Sequence, residues 1–340
     1  MAETQTVSTG HRMPAPAADP SGAELLPFDP RARERRPHDP LEALLRAGAR
    51  GALALITAVE GPSYRPVGAM MAFLPDGRRS GSLSSGCIEA DLQLHAQKVM
   101  AQEAPALLRY GAGSPFFDLK LPCGGGLEIL LLPCPPASLL GQVARLRAAR
   151  RGFSLAIGLR DGAVAVGPDR PTGKDGHGLF HVRLGPEPRF LIFGKGPEVA
   201  VFAGLVQAAL LPGLVLSHDD ETLAQATAIG MPVRPIDTRG LPGDVGVDRD
   251  TAAVLFYHEH HYETAILRRL LAGSAFYIGA QGSRRARDAR LEALRAAGMG
   301  EPALGRLRGP IGVVPSARDA RLLAISVLAE ILALHAQRPG

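Results

Sequence analysis

The apolar and polar positions divide the chain into two parts with different patterns. In the first part, short apolar runs typical of strands stand beside segments with helical spacing, such as 87–100. From residue 189 onward, short apolar runs alternate regularly with segments of helix length. Alternating strands and helices are typical of a parallel sheet of Rossmann type. We therefore predict the α/β fold class, with a mixed α/β N-terminal domain and a C-terminal Rossmann-like parallel-sheet domain.

The boundaries of these parts follow from the same patterns. Residues 1–40 contain seven prolines and few clustered large apolar residues, so we expect a mostly disordered tail. The N-terminal domain is predicted over 41–150 and the Rossmann-like domain over 188–335. Between them, residues 151–187 show strand patterns separated by turn signals, which predicts a connecting hairpin layer.

Individual elements are predicted from the spacing of apolar residues. In the N-terminal domain the predicted helices are 41–49, 87–100 and 138–149, and the predicted strands are 52–59, 68–74 and 127–132. In the second half each predicted strand is followed by a helix, and the series ends with a long apolar helix over 318–336.

Composition narrows the function classes. The 340 residues are 46% hydrophobic and 21% charged, which is typical of a globular protein. The net charge is only +5, the basic residues are scattered and aromatic residues make up 5%, so no nucleic-acid partner is expected. The three cysteines are an odd number without a CxxC pair, which favours a reducing, cytoplasmic location over a disulfide framework.

Hydropathy predicts no membrane partner. The N-terminus has no apolar segment of the kind found in secretory signals. The longest charge-free apolar stretch, 199–217, is interrupted by Pro212 and Gly213, so we interpret it as a helix, a turn and a strand.

A glycine-rich turn opens the Rossmann-like domain. Gly194, Lys195 and Gly196 follow the predicted strand 189–193 and precede a helix, as a dinucleotide fingerprint requires. Gly194 would make the tight turn, and Gly196 would let the backbone approach a pyrophosphate at the helix N-terminus. Asp219 lies about 25 residues further on, where an acid could bind a ribose hydroxyl.

Two departures from the fingerprint disfavour nicotinamide redox chemistry. Val199 stands in place of the third glycine, and Glu198 puts a carboxylate next to the phosphate position. An NAD(P)-dependent oxidoreductase is therefore kept as the alternative function.

Two further segments follow predicted strands of the same domain. His258 lies in a Tyr-His-Glu-His-His run, where it could line a ligand site or act as an acid or base. The alternatives are a metal site, which the spacing does not specify because HExxH is absent, and a solvated loop. Gly282, Ser283 and Arg284 lead into a helix, and Arg284 could clamp a phosphate; the alternative is a solvated basic helix face. Because parallel strands end at one edge of a sheet, we expect these segments to line one crevice with the Gly194 turn.

Two glycine-rich loops of the N-terminal domain each contain a cysteine. Gly86, Cys87 and Glu89 lie where a Gly/Ser loop leads into the predicted helix 87–100, which is a natural anion cradle and favours a thiolate at Cys87. The alternative is an N-capping turn in which Cys87 is a small buried hydrophobe.

The second loop precedes the predicted strand 127–132. Gly124 and Gly125 follow Cys123 and leave backbone N–H groups free and the thiol accessible; the alternative is a flexible turn. Two such loops in one domain favour a shared site. Cys134, between two prolines, is interpreted as structural.

Taken in order, these motifs resemble those of a known family. Its N-terminal module is matched by EGPSYRPVGAMMAF, GSLSSGCIEAD and LPCGGGLEILL. Its C-terminal Rossmann module is matched by FGKGPEVA, YHEHHYETAILRRLL, FYIGAQGSRRARDARL, GPIGV and LLAISVLAEILA. Over roughly residues 41–335 the chain thus resembles the XdhC/CoxI family. Lys195 stands where the family commonly has alanine, and would add a cation beside a phosphate.

The resemblance implies a function, a cofactor and partners. Family members are accessory proteins, not enzymes with a catalytic residue set of their own. They bind the molybdenum cofactor, as molybdopterin or its cytosine dinucleotide form, protect it, support its sulfuration and deliver it to a xanthine dehydrogenase or aldehyde oxidase-type hydroxylase. The expected partners are the apo-hydroxylase client, a cysteine desulfurase, cofactor-maturation enzymes and a second copy of the chain.

The resemblance also suggests roles for the candidate residues. The thiolates of Cys87 and Cys123 would lie near the molybdenum or the sulfur being transferred, since both are soft ligands. The remaining candidates would contact the pterin or nucleotide part of the cofactor: Gly86, Glu89, Gly124, Gly125, Gly194, Lys195, Gly196, Asp219, His258, Gly282, Ser283 and Arg284.

Overall fold

The computed structural model describes residues 39–84, 86, 88–111, 124–257 and 262–338. Residues 1–38 of the predicted disordered tail and three candidate site residues, Cys87, Cys123 and His258, lie outside these residues. The last two residues assigned to the tail, Asp39 and Pro40, instead cap and begin the first helix. Within the described part of the chain, the strands form three separate sheets. Each sheet falls within one of the predicted segments, although the domain boundaries themselves stay a prediction.

The first sheet has five strands in the order β3-β2-β1-β5-β4, and all neighbours are antiparallel. One face packs against a long helix, α2, and the other against two shorter helices and the second sheet. Its elements are α1 (Pro40–Arg46), β1 (Ala52–Glu60), β2 (Met70–Phe73), β3 (Arg79–Gly81), α2 (Glu89–Gln102), β4 (Ala106–Gly111), β5 (Gly126–Pro133) and α3 (Ala137–Ala148).

The antiparallel register brings both cysteine-containing loops to the same edge of this sheet. Glu60, the last residue of β1, lies opposite Gly126, the first residue of β5. Gly81 ends β3 opposite Met71, near the start of β2. Strand β3 therefore ends, and strand β5 begins, at the same end of the sheet. Three strand spacings separate β3 from β5, which is roughly 14 Å.

The second sheet is a four-stranded antiparallel layer in the order β7-β6-β9-β8. Its apolar residues Leu155, Ile157, Phe180 and Val182 share a core with β1, β5 and α3. The apolar side chains of the predicted connecting layer therefore pack against the first sheet. Its strands are β6 (Phe153–Gly158), β7 (Val164–Gly167), β8 (Gly173–Lys174) and β9 (Leu179–Leu184).

The third sheet has six parallel strands in the order β12-β11-β10-β13-β14-β15. Its elements are β10 (Arg189–Gly194), α4 (Pro197–Ala208), β11 (Gly213–Ser217), α5 (Asp220–Ala228), β12 (Val233–Pro235), β13 (Thr251–Phe256), α6 (Glu263–Ala272), β14 (Tyr277–Ala280), α7 (Arg284–Ala296), α8 (Glu301–Leu304), β15 (Leu307–Arg308) and α9 (Ala320–Ala336).

This strand order confirms the predicted Rossmann-like fold class. The chain runs outward from β10 to β12 and then returns to β13 on the other side, which places the topological switch point between β10 and β13. Helices α4, α5 and α9 cover one face, and α6, α7 and α8 cover the other. Both faces are buried, as a parallel sheet requires.

Several short elements differ from the sequence prediction. Strands β8, β12 and β15 and helix α8 were not predicted, because they have only two to four residues and no clear apolar period. Strand β4 was not predicted either; its apolar residues are interrupted by Arg109. Helix α2 begins at Glu89 rather than at Cys87, so the expectation that residue 87 opens its first turn is wrong. Each of the longer predicted strands and helices overlaps an observed one.

Candidate functional site

The turn after β10 requires its two glycines. Gly194 has φ +138°, and a Cβ there would lie 2.8 Å from the carbonyl oxygen of Phe256. Gly196 has φ +86°, in the region that favours glycine, and directly precedes α4. The backbone therefore turns tightly between β10 and β13 at the switch point.

Side chains from the β11–α5 connection fix this turn. The Ser217 hydroxyl donates to the carbonyl of Gly194 at 2.7 Å. The amide of Gly196 donates to Thr222 Oγ1 at 3.0 Å, and that hydroxyl donates to Asp219 Oδ2 at 2.6 Å. Thr222, at the centre of this chain of hydrogen bonds, is buried, while Gly196 and Asp219 at its two ends are partly exposed.

Asp219 therefore has a structural role in addition to its predicted role in ligand binding. It is the N-cap of α5 and accepts from the amide and the hydroxyl of Thr222. These hydrogen bonds lower the pKa of its carboxyl, and the nearby charges of His218 and Lys195 lower it further. The carboxylate that was expected to bind a ribose is thus held ionised at the edge of the sheet.

The start of α4 offers few donors to a pyrophosphate. The Gly196 amide already donates to Thr222, and Pro197 has no N–H. Glu198 Oε2 lies 3.8 Å from the position that a Cβ on Gly196 would take, so a carboxylate stands beside the expected phosphate position. These features disfavour a pyrophosphate bound at the N-terminus of α4, which is the binding mode on which the oxidoreductase alternative depends.

Three nearly parallel aromatic rings lie next to this turn. His218 stacks on Tyr262 with ring centroids 4.0 Å apart, and Tyr257 lies 5.6 Å from His218 at an angle of 17°. Burial raises the pKa of the Tyr257 hydroxyl, which has no hydrogen-bond partner among the described residues. His218 follows β11 and Tyr257 follows β13, so the rings span the end of β10.

The loop after β14 carries the other predicted phosphate ligands. Gly282 has φ +133°, and Ser283 is the N-cap of α7, its hydroxyl accepting from the Ala286 amide at 3.2 Å. Arg284 follows as the first helical residue and is exposed. Two strand spacings separate β14 from β10, roughly 10 Å, so Arg284 lies at the same sheet edge as Gly194.

A buried ion pair between α6 and α7 packs against this loop. Arg290 of α7 donates to Glu263 of α6 at 2.7 Å, and the side chains are only 4% and 1% exposed. A Cβ on Gly282 would lie 3.1 Å from Arg290 Nη1, so the guanidinium also packs under the loop. The pair thus links the beginning of α6 to the loop that precedes α7.

In the N-terminal part, Glu89 closes the loop that contains position 87. Its carboxylate accepts from the amide and hydroxyl of Ser84, at 2.8 and 2.5 Å, and from the Ile88 amide at 3.2 Å. Burial alone would raise the pKa of this carboxyl, but the hydrogen bonds from Ser84 hold it below its usual value. Glu89 therefore holds the loop together from inside rather than facing outward as a ligand.

The glycines beside the two cysteines differ in how closely the described residues approach them. At Gly86 and Gly124, both with positive φ, a Cβ would have no described atom within 4 Å. Gly125 is different, because a Cβ there would lie 2.1 Å from the carbonyl oxygen of Pro62. Gly125 is thus needed for the close packing of the β5 entry against the loop after β1.

Cys134 behaves as a structural residue. Its side chain is partly buried in the core shared by the first two sheets, and its thiol donates to the carbonyl of Pro135 at 3.4 Å. Burial raises the pKa of this thiol to about 11, so it is unreactive near neutral pH.

The structure sorts the candidate residues into two groups on different sheets. One group lies at the carboxyl-terminal edge of the parallel sheet, and the other lies at the edge of the first sheet where β5 begins. In the part of the chain that is described, no group of three or more His, Cys, Asp or Glu side chains could hold a metal ion. Among the same residues, no helix is long and apolar enough to cross a membrane.

Sequence reasoning missed the residues that hold these edges in place. Thr222 and the Glu263–Arg290 pair act through contacts between elements that are distant in sequence. Thr222 stands three residues after Asp219, a spacing typical of helix caps, and this signal could have pointed to it. Nothing in the local sequence marks Glu263 and Arg290 as partners.

Comparisons with known proteins agree with both halves of the structure. Residues 44–111 match the model of the XdhC and CoxI family, and residues 190–331 match that of the XdhC Rossmann domain. The molybdenum cofactor insertion chaperone PaoD of Escherichia coli strain K12 is 32% identical over 301 residues, covering 87% of this chain and 86% of that protein.

Two further relatives extend the comparison. A probable xanthine dehydrogenase subunit of Bacillus subtilis strain 168 is 28% identical and covers 87% of this chain and 96% of that protein. A crystal structure described as a xanthine dehydrogenase from Bacillus halodurans superposes with a TM-score of 0.72 at 24% identity. It covers 88% of this chain and 96% of that chain, and supports the fold.

Proposed function

Because the chain belongs to the XdhC/CoxI family, we propose that it is a chaperone that inserts the molybdenum cofactor into a molybdenum hydroxylase. The observation that carries this proposal is the similarity to the Escherichia coli insertion chaperone over nearly the whole length of both proteins. The client would be a hydroxylase of the xanthine dehydrogenase or aldehyde oxidase type. Protection and sulfuration of the cofactor before insertion are part of the proposal.

The edge of the first sheet is the proposed site for the metal-bearing end of the cofactor. When bound, the cofactor supplies the molybdenum centre on which the client's chemistry depends. The chain supplies Cys87 and Cys123 as thiolate ligands, since soft sulfur donors suit this metal. Gly86 and Gly124 have positive φ, a backbone conformation that favours glycine, and would place their amides beside the proposed ligand.

Glu89 has a positioning role in this proposal. Its three hydrogen bonds join residues 84 and 88, on either side of Cys87. A loop fixed in this way presents its thiol without a further loss of conformational entropy when the cofactor binds.

The edge of the parallel sheet is the proposed site for the nucleotide of the cytosine dinucleotide form. Lys195 and Arg284 supply positive charge, while Ser283 and Asp219 cap the neighbouring helices. The stacked rings of His218 and Tyr262 give the edge an aromatic wall suited to a heterocycle.

The proposed partners are the apo-hydroxylase, a cysteine desulfurase as sulfur source, cofactor-maturation enzymes and a second copy of the chain, all in the cytoplasm. The dimer proposal depends on α9, which is largely apolar in sequence and leaves Leu322 and Ile325 exposed. The amide of Val314 donates to Ser326 of this helix, which sets exposed Val313 and Val314 beside them. Together these four residues form an apolar patch that a second copy would cover.

One experiment tests the function directly. The protein is purified from cells with and without a functional pterin pathway, and the co-purifying small molecule is identified by mass spectrometry. A molybdenum-bearing pterin is expected only with the pathway intact, and the loaded protein should activate the apo-hydroxylase. Recovery of NAD(P) instead, with no pterin and no activation, would establish the oxidoreductase alternative.

A further inference from the structure

A concave cavity lies at the outer edge of the parallel sheet, away from the turn after β10. It has a volume of about 560 Å³ and surrounds β15, the end strand. Its charged lining residues are Arg287 from α7, Arg306 and Arg308 from the β15 segment, and Glu330 from α9. Helices from both faces of the sheet thus enclose the edge. The volume lies in the range of small-molecule sites.

Two of these four residues are fixed by the fold. Arg306 donates to the carbonyls of Leu271, Gly273 and Ala275, at 2.6 to 2.7 Å, and so joins β15 to the end of α6. Glu330 Oε2 accepts from the Tyr277 hydroxyl at 3.1 Å and from the amide of Gly312 at 2.5 Å. Both residues form rigid walls of the cavity.

The guanidinium groups of the other two arginines, Arg287 and Arg308, have N–H donors that no described residue accepts. Arg308 Nη1 lies 3.7 Å from Glu330 Oε1, and Arg287 Nη1 lies 3.8 Å from Asp288 Oδ1. Both distances exceed a hydrogen bond, and among the described residues neither guanidinium donates to another group. The Arg287 stem packs against Gly309, where a Cβ would lie 3.7 Å from its Cγ and Cδ, so the side chain is supported.

The charge and shape of the cavity point to an anion. Three arginines against one glutamate leave an excess of two positive charges on the lining. Arg287 and Arg308 line the cavity from different elements, α7 and β15, and a ligand with several oxygens could pair with both. A phosphate has its oxygens in a tetrahedral arrangement, whereas a carboxylate has two in one plane. Arginine forks match phosphate oxygens in pairs.

We propose that this cavity is a second ligand site, which binds the phosphate group of a small molecule through Arg287 and Arg308. Its lining includes none of Gly194, Lys195, Gly196 and Arg284 of the proposed nucleotide site, although Arg287 follows Arg284 by one turn of α7. The glycine-proline motif at 309–310 forms part of its wall. The proposal does not depend on the chaperone function.

The test measures binding of pyrophosphate to the full chain by titration calorimetry at constant ionic strength. The background is Lys195→Gln/Arg284→Gln, which removes the cations of the other candidate anion site. We expect binding to persist in this background and to weaken by about tenfold or more when Arg287→Gln/Arg308→Gln is added. The matched control, Arg268→Gln on the exposed face of α6, should change nothing. Arg308→Lys should weaken binding, because it keeps the charge but loses the fork.

Three results would overturn the proposal. Equal affinity after Arg287→Gln/Arg308→Gln would place the phosphate elsewhere, and an equal loss with Arg268→Gln would indicate general charge attraction. Malonate binding as tightly as pyrophosphate would show that the cavity takes carboxylates, such as acidic side chains of a protein. Melting curves of each variant separate these results from misfolding, and cofactor retention by the same variants reports on the chaperone function independently.

Discussion

At the scale of single residues, the three cysteines are expected to divide into two ligands and one packing residue. Cys87 and Cys123 stand in the sequence between β3 and α2 and just before β5, whereas Cys134 is partly buried and burial raises the pKa of its thiol to about 11. Cys87→Ala or Cys123→Ala should lower the molybdenum cofactor bound per protein with little change in melting temperature. Cys134→Ala should leave cofactor content unchanged. Cofactor is measured after acid release and oxidation to a fluorescent pterin.

One outcome would contradict the assignment of Cys87 and Cys123 as cofactor ligands. If the Cys87 and Cys123 variants retain full cofactor and activate the client fully, both thiols are structural and the metal ligands lie elsewhere. Cys134→Ala serves as the matched control, because it removes the same atom from the same part of the chain.

Thr222 illustrates a residue whose importance appears only in three dimensions. Its hydroxyl joins the Gly196 amide to the Asp219 carboxylate while almost fully buried. Thr222→Val should lower the free energy of unfolding by about 1 kcal/mol, because the partly buried Gly196 amide loses its acceptor and the Asp219 carboxylate loses one of its two donors. Thr222→Ser should retain most of the stability. Urea unfolding measures both, and equal stability of the valine variant would contradict the proposed link.

At the scale of elements, prediction succeeded where a pattern was long. The helices α2, α3, α6, α7 and α9 and the buried strands β1, β5, β10 and β13 each carry enough apolar residues to show their period. The strands β12 and β15 have three and two residues, and only pairing with a neighbour defines them. The loop glycines were identified from residue type alone, but the role of Glu89 required its hydrogen bonds.

The link between α6 and α7 gives a prediction at this scale. Arg290→Met would leave the Glu263 carboxylate buried without its partner, which should cost about 3–5 kcal/mol of stability. Glu263→Leu/Arg290→Met, which removes both charges, should recover much of this loss. A double-mutant cycle measured by chemical unfolding tests it. Additive effects of the two single substitutions would show that the pair is not coupled.

At the scale of the whole molecule, charged groups join the first two sheets to the parallel sheet. Arg150, which follows α3, donates to both oxygens of Asp248 at 2.6 and 3.3 Å and to the carbonyls of Glu187 and Asp250. Arg189, at the start of β10, lies 3.6 Å from the same carboxylate. These contacts lie at the amino-terminal end of the parallel strands, opposite the candidate ligand edge, so they hold the halves together without obstructing it.

The charge on Asp248 should make this junction sensitive to acid. Burial alone would raise the pKa of its carboxyl, but hydrogen bonds from Arg150 and Thr251 and the charge of Arg189 lower it to about 2. The unfolded chain has a pKa of about 3.9 at this position. A lowered pKa stabilises the folded state above the unfolded pKa, and this contribution is lost as pH falls through the folded value. The stabilisation should therefore be complete above about pH 4 and vanish near pH 2.

Comparison with Asp248→Asn isolates this contribution. At neutral pH the variant should be less stable than the wild type, and the difference should shrink steadily between about pH 4 and pH 2, where the wild-type carboxylate becomes protonated. Asp288→Asn, at an exposed position of α7, is the control and should show a much smaller change over the same interval. Chemical unfolding at each pH gives the two curves. A difference that stays constant from neutral pH to pH 2 would mean that the Asp248 carboxylate contributes nothing to the junction through its charge.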